Sequence, residues 1–136
     1  MTHPSIIKKD ITIQAPASKV WSMFVDPAFT RQMGGEYVSD WQVGSSLGWK
    51  GLNGQQLTNG VILKIETEVI LQHSLFHSGT NSVMATITYE LREHGEATTV
   101  NIQEEFSQPI SEDELTASEE GWTAALNMVK ELIEKK

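Results

Sequence analysis

The sequence predicts an α+β fold in which a long C-terminal helix packs against an antiparallel sheet of about six or seven strands. Three observations lead to this prediction. Residues 82–92 and 98–106 alternate between apolar and polar side chains around a short loop, which is typical of a β-hairpin. A capping signal at Ser111 opens a long amphipathic helix. Helices occur only near the two ends of a continuous run of strands, an order typical of α+β folds.

The composition restricts the class of protein. A length of 136 residues fits one domain covering residues 1–136. The absence of cysteine excludes disulfides, thiol nucleophiles and thiolate metal sites. Asp and Glu number 18 against 10 Lys and Arg, and the net charge of −8 disfavours nucleic acid and acidic membrane surfaces as partners. The N-terminus has no basic segment followed by an apolar stretch, and no run approaches the roughly 20 apolar residues of a transmembrane helix. We therefore expect a cytoplasmic protein that does not insert into membranes.

The first elements are a strand and two short helices. Residues 5–14 carry isoleucines with a period of two, which favours a strand. Pro16 suits the first turn of a helix, and Asp26-Pro27 ends that helix because the residue before proline is pushed out of the α conformation. A second short helix is predicted over 27–33. The apolar face of the first helix comprises Val20, Trp21, Phe24 and Val25.

The middle of the chain is predicted to be all strand. The glycine-rich segment 36–60 accommodates two short strands, one holding Trp41 and one holding Trp49. Two apolar runs, 61–65 and 69–76, follow as strands of a half-buried sheet, with a turn near Thr67. In the hairpin that follows, one face of its two strands carries Val83, Ala85, Ile87, Tyr89, Leu91, Thr98, Val100, Ile102, Glu104 and Phe106.

The C-terminal helix begins at a capping box. Ser111 can cap the helix while Glu114 reaches back to it, and the acids at 112–114 favour the positive end of the helix dipole. The helix could run about 20 residues, or roughly 30 Å. Gly121 lies inside it and costs about 1 kcal/mol relative to alanine. The apolar stripe consists of Leu115, Trp122, Leu126, Val129 and Ile133.

Three segments carry a resemblance to a known family: Ala15-Pro16-Ala17-Ser18-Lys19-Val20-Trp21, then Trp41-Gln42-Val43-Gly44 through Gly48-Trp49, and Gly121-Trp122 with Leu126 and Val129. Together with the order of elements, they resemble the START/SRPBCC superfamily, which has the helix-grip fold. The most similar group is the activator of heat-shock protein 90 ATPase homologue-like domains. The resemblance implies a curved sheet, a long helix packed over it, and a central cavity between them, mostly apolar and about 300–1,000 Å³ in volume.

A cavity of that kind implies a small hydrophobic ligand, and the sequence offers inward-facing residues for it. We predict a ligand site formed by Trp41, Trp49, His73, Leu75, Tyr89, Glu104, Trp122 and Leu126. Glu104 is the most informative, because its register places a carboxylate on the apolar face, where burial is costly without a partner. Such a group could act as a general acid or base or hold the polar end of a ligand. Alternatively, it reaches solvent or a lysine at the strand end.

The other polar candidates also allow structural explanations. His73 could be satisfied by a neighbouring hydroxyl, and Tyr89 could bond to the backbone. Core packing could account for each tryptophan. His73 and His77 do not predict a metal site, because four residues along a strand span roughly 13 Å. We expect neither a metal nor a cofactor.

Three functions are compatible with these patterns. The first is a non-catalytic module that binds a small hydrophobic molecule. The second, seen elsewhere in the superfamily, is a cyclase or dehydratase that uses Glu104, His73 or Tyr89 for proton transfer. The third is a protein-interaction role with a chaperone as partner, which predicts exposed apolar residues in the segment 36–54.

Overall fold

The computed structural model describes residues 6–77 and 79–135, so the N-terminal residues considered above for a signal segment lie outside it. Within this part of the chain, seven strands, three α-helices and one 3-10 turn follow one another. They are β1 (Ile6–Ile13), α1 (Ala17–Val25), α2 (Pro27–Thr30), the 3-10 turn (Arg31–Met33), β2 (Gly35–Ser39), β3 (Ser46–Gly51), β4 (Gly60–Glu66), β5 (Ile70–Phe76), β6 (Val83–His94), β7 (Ala97–Phe106) and α3 (Glu112–Glu134). The predicted order of elements is confirmed.

The strands form one curved antiparallel sheet in the order β1-β7-β6-β5-β4-β3-β2. The sheet contains the predicted β6–β7 hairpin, which turns at Gly95 with a φ of 64°, a conformation that glycine adopts without steric cost. Ile87 pairs with Glu104 and Tyr89 with Ile102, so the alternation seen in the sequence places all four on the inner face. The α+β fold with a long helix over a curved sheet is therefore confirmed.

The long helix α3 begins as its sequence predicts. Ser111 Oγ accepts a hydrogen bond from the Glu114 amide at 3.1 Å, and Glu114 Oε1 accepts one from the Ser111 amide at 3.2 Å. The helix runs for 23 residues, about 35 Å at 1.5 Å per residue. Its buried residues are Leu126, Val129 and Ile133, all in the C-terminal half, so that half packs on the core.

Polar contacts hold the C-terminal end of α3 against β1. Lys130 Nζ donates to the Thr12 carbonyl at 2.8 Å and to Glu134 Oε2 at 2.6 Å. The same carboxylate oxygen accepts the Gln14 amide at 2.8 Å. The hydrogen bond from Lys130, and then the one from the Gln14 amide, lower the pKa of Glu134 from its ordinary value. This network fixes one end of the helix to the sheet edge.

Two sequence predictions about individual residues were wrong. Val25 was placed on the buried face of α1, but it is 40% exposed because the helix ends there and the chain turns into α2. Trp41 was placed in a strand, yet β2 ends at Ser39 and Trp41 follows it with a φ of 59°. The Trp41 amide donates to Ser39 Oγ at 3.0 Å, and this local turn replaces sheet pairing.

β4 approaches β5 unusually closely at Gly60. A Cβ at this position would overlap the Ser74 carbonyl oxygen, so glycine is required by the close approach of the two backbones. On the same strand pair, Ser74 Oγ accepts the Val61 amide at 3.0 Å. These contacts fix β5, and with it His73, relative to β3 and β4.

No helix in the described residues is both long and apolar enough to cross a membrane.

Candidate functional site

A cavity of about 370 Å³ lies between the N-terminal half of α3 and the inner face of β3, β5, β6 and β7. Its volume is near the lower end of the range typical of small-molecule sites. The residues that line it are Tyr37, Leu47, Gly48, Trp49, Thr58, His73, Leu75, Ile87, Tyr89, Glu104, Ser118, Gly121 and Trp122.

The structure brings six of the eight predicted site residues to this cavity. They are Trp49, His73, Leu75, Tyr89, Glu104 and Trp122. Leu126 lies in the core and is 5% exposed. Trp41 packs edge-to-face on Tyr37, with ring centroids 6.2 Å apart, and so supports the cavity wall from behind. Neither Leu126 nor Trp41 is among the described residues that line the cavity.

Glu104 is buried on β7 and is 5% exposed. Its Oε1 accepts two hydrogen bonds from α3, from the Trp122 indole Nε1 at 2.8 Å and from Ser118 Oγ at 3.2 Å. Within residues 6–77 and 79–135, Oε2 has no hydrogen-bond partner, and it is not fully enclosed by protein atoms. The carboxylate therefore links β7 to α3 with one oxygen and presents the other to the cavity.

His73 is buried on β5 and is 3% exposed. Its Nδ1 lies 3.0 Å from the Ser74 carbonyl oxygen, which can only accept, so Nδ1 carries the proton. Nε2 is then an acceptor, and it has no partner among the described residues. Burial lowers the pKa of His73 and outweighs the opposing effect of the Ser74 carbonyl. A neutral imidazole therefore lines the cavity, while its unsatisfied Nε2 is enclosed by neighbouring protein atoms.

Tyr37 and Tyr89 form a coupled pair of buried hydroxyls. Burial raises the pKa of Tyr89 well above 10.0, and interaction with Tyr37 and then with the Glu104 carboxylate raises it further. Burial also raises the pKa of Tyr37, opposed by its hydrogen bond with Tyr89. Both phenols are therefore neutral at physiological pH.

Aromatic rings form most of the apolar wall. Tyr37 and Trp49 lie edge-to-face at 4.9 Å between centroids, and Tyr89 and Trp122 do so at 5.9 Å. His73 stacks on Tyr89 at 5.9 Å with an interplanar angle of 22°. Edge-to-face and stacked pairs of this kind are favoured ring geometries, so these contacts help to hold the orientation of the rings in the wall.

Across the sheet, His73 pairs with Ile87, and Ile87 pairs with Glu104. The two polar residues are thus separated by two strand spacings, about 10 Å between their Cα atoms. The Ile87 side chain lies between them on the same face and, like them, lines the cavity. In the part of the chain that the structure describes, no group of three or more His, Asp or Glu side chains is arranged to hold a metal ion.

Sequence reasoning missed several lining residues. On α3, Ser118 lies four residues before Trp122 and three before Gly121, so the helical period could have revealed Ser118. Tyr37 gave no comparable signal, because β2 is a short strand at the sheet edge. Thr58 lies in a loop, where its Oγ1 accepts the Trp49 amide at 2.9 Å.

Comparison with known proteins agrees with this architecture. The sequence profile of the family described as activator of Hsp90 ATPase homolog 1-like protein matches residues 14–134. The chain belongs to this family. The resemblance inferred from the sequence is thereby confirmed, and the structural relatives described below share the START/SRPBCC fold. No curated protein matches the chain in sequence.

Several solved structures are similar to this family member. ChR145 from Cytophaga hutchinsonii has 29% identity and a TM-score of 0.77, with 95% of this chain and 93% of that chain covered. CalU16 from Micromonospora echinospora has 24% identity and a TM-score of 0.75, with 99% and 82% covered. The Aha1 dimer from Colwellia psychrerythraea has 18% identity and a TM-score of 0.76, with 96% of each chain covered. The last two likenesses concern the fold alone.

Proposed function

We propose that this protein binds one small, mostly apolar molecule in the cavity between α3 and the sheet. The observation that carries the proposal is the cavity of about 370 Å³ itself, which aromatic and aliphatic side chains line together with a few polar groups. Small-molecule sites typically have this composition, because the apolar wall supplies the burial and the polar groups fix the orientation of the ligand.

Gly121 supports the same function from the opposite wall. A Cβ added at this residue would meet nothing within 4 Å, although the residue lines the cavity and lies inside a helix. Glycine costs about 1 kcal/mol relative to alanine in a helix interior, and here no neighbouring atom requires it. Gly121 is exposed and lines the cavity, so the missing side chain leaves its open side unobstructed next to Trp122.

A larger side chain at residue 121 tests the proposed binding function. Gly121→Leu adds a large side chain at the exposed side of the cavity without removing any contact, and Glu131→Leu adds the same side chain at an exposed position of α3 that does not line the cavity. Gently purified wild-type protein is analysed by native mass spectrometry, and uptake of the uncharged apolar dye N-phenyl-1-naphthylamine is titrated. We expect bound mass or dye uptake in the wild type and in Glu131→Leu, and a loss of at least tenfold in affinity in Gly121→Leu. Absence of both bound mass and dye uptake in the wild type would overturn the proposal.

A second candidate is proton-transfer catalysis on a bound molecule. It is favoured by one observation: the side chains of His73 and Glu104 line the same cavity, and Oε2 of Glu104 has no hydrogen-bond partner among the described residues. The test is the exchange of the α-protons of α-tetralone in D₂O, followed by NMR. Acceleration by the wild type that is lost in His73→Gln supports catalysis. An exchange rate equal to that of buffer means that the cavity only binds.

A third candidate is the chaperone role that the family name suggests. Apolar side chains that are exposed on and beside β2 and β3 favour it: Val38, Val43, Leu52 and Leu57. The test measures the ATPase rate of purified heat-shock protein 90 with increasing amounts of this protein. Stimulation that Leu52→Glu removes supports the role, and an unchanged rate at saturating protein excludes it.

A further inference from the structure

We propose that the ligand is an organic cation, an apolar molecule that carries a protonated amine, and that Glu104 binds its ammonium group. This inference rests on the proposed binding function and names the chemical class of the ligand. It follows from the charges and hydrogen-bonding groups of the cavity wall.

The charge on the cavity wall is negative. Among the described residues that line it, Glu104 is the one with a formal charge, and no lysine or arginine takes part. His73 is neutral, because its imidazole is buried and its pKa is lowered. A ligand carboxylate would meet Glu104 with no cation to balance it, so the wall selects against anions such as fatty acids.

The charge of Glu104 is not neutralised by a cation among the described residues. Its Oε1 accepts from Trp122 and Ser118, which are both neutral donors. The two ion pairs found in the described chain, Arg31 with Glu36 and Lys130 with Glu134, do not involve Glu104. A buried carboxylate without a counter-ion is costly, and its free Oε2 is directed to the accessible side. A ligand ammonium would supply both the missing charge and the missing donor.

The other side chains of the cavity wall also favour a cation. Four aromatic residues, Tyr37, Trp49, Tyr89 and Trp122, line the same cavity as the carboxylate, and Trp122 contacts it directly. Aromatic faces attract cations, most strongly where water is excluded. His73 also lines the cavity, and because burial lowers its pKa it adds no positive charge to the wall. Carboxylate and aromatic rings together form a wall that favours donors and positive charge.

The test compares three probes that share one ring system and differ in charge: 1-naphthylmethylamine, 1-naphthalenemethanol and 1-naphthoate. Isothermal titration calorimetry at pH 7 gives the affinity of each for the wild-type protein. We expect the amine to bind at least tenfold more tightly than the alcohol, and the carboxylate to bind most weakly. Glu104→Gln keeps an oxygen that can accept from Trp122 and Ser118, so it should reduce the amine to the affinity of the alcohol and leave the alcohol within about twofold.

The possible outcomes distinguish failure of the cation proposal from failure of the proposed binding function. Equal affinities for amine and alcohol, or an amine preference that survives Glu104→Gln, overturn the cation proposal and leave the apolar binding function standing. Failure of all three probes to bind overturns both. Because the net charge of −8 attracts amines to the surface, Gly121→Leu serves as a control. Amine binding that persists in this variant is surface binding and counts against the proposal. The wild-type comparison needs no variant, so a folding defect in Glu104→Gln does not prevent the test.

Discussion

Trp122 donates its indole N–H to Glu104 Oε1 across a distance of 2.8 Å, and this hydrogen bond joins the middle of α3 to the inner face of β7. It is one of two bonds that the N-terminal half of the helix makes to this carboxylate; the other comes from Ser118. Because Leu126, Val129 and Ile133 bury only the C-terminal half, the position of the cavity wall depends on these polar bonds.

Trp122→Phe is therefore expected to destabilise the protein. Loss of a hydrogen bond to a charged group costs about 1.5–3 kcal/mol, and the aromatic packing is largely kept. Trp41→Phe is the matched control, because no hydrogen bond of the Trp41 indole is among those of the described residues. Urea unfolding at pH 7 measures both. Equal stability of the two variants would mean that the Trp122–Glu104 bond contributes nothing.

His73 makes stability depend on pH near neutrality. The pKa of His73 is lower in the folded protein than the ordinary value of 6.5. As the pH falls, the unfolded chain therefore takes up a proton on this residue before the folded protein does. Stability contributed by neutral His73 is full above about pH 6.5 and falls as the pH drops towards the folded pKa, by at most about 1.4 kcal/mol per pH unit.

The measurement is the difference in urea midpoint between wild type and His73→Leu at pH values from 7.5 to 5. Wild type should lose more stability than the variant over this range. His77→Leu changes an exposed histidine four residues along the chain and should leave the slope unchanged. Parallel pH profiles for wild type and His73→Leu would contradict the expectation.

Gly121→Ala tests whether the space beside α3 is open. No neighbouring atom lies within 4 Å of the added Cβ, so the substitution should raise the free energy of unfolding by about 0.5–1 kcal/mol through helix propensity alone. Thermal and urea unfolding both report it. A destabilised variant would show that the methyl group meets an obstacle at this point.

Glu134 should contribute stability above the pKa of an ordinary glutamate and lose that contribution as the pH falls through its lowered folded pKa. The cause is the hydrogen bond from Lys130, followed by that from the Gln14 amide. Glu134→Gln should therefore reduce the loss of stability between pH 5 and pH 3. Glu131→Gln, which changes an exposed glutamate one turn away, is the control and should follow the wild type.

The fold was predictable because its main elements repeat simple periods. The alternation over 83–106 placed Glu104 and Tyr89 on the inner face, and the capping box at Ser111 fixed the start of α3. The same alternation predicted that His73 faces the cavity, because it shares one face of its strand with Leu71 and Leu75. Where a strand is regular, its alternation therefore predicts which polar residues lie on the buried, apolar face.

Residues outside regular strands escaped prediction. The left-handed conformation of Trp41 depends on a turn held by Ser39 Oγ, and a strand pattern contains no information about it. The partners of Glu104 on α3 also depend on the rotation of the helix about its axis, which packing by Val129 and Ile133 decides. Sequence can assign residues to one helical face, but the distance across to β7 is set by tertiary packing.

The unequal attachment of α3 has a consequence for local motion. Amide hydrogens in its C-terminal half sit over three buried aliphatic residues and a lysine-centred network, so their exchange with solvent should require opening of the whole domain. Those of the first two turns can open with smaller, local fluctuations. Such a gradient along one helix would give a bound molecule a route in and out that leaves the rest of the sheet undisturbed.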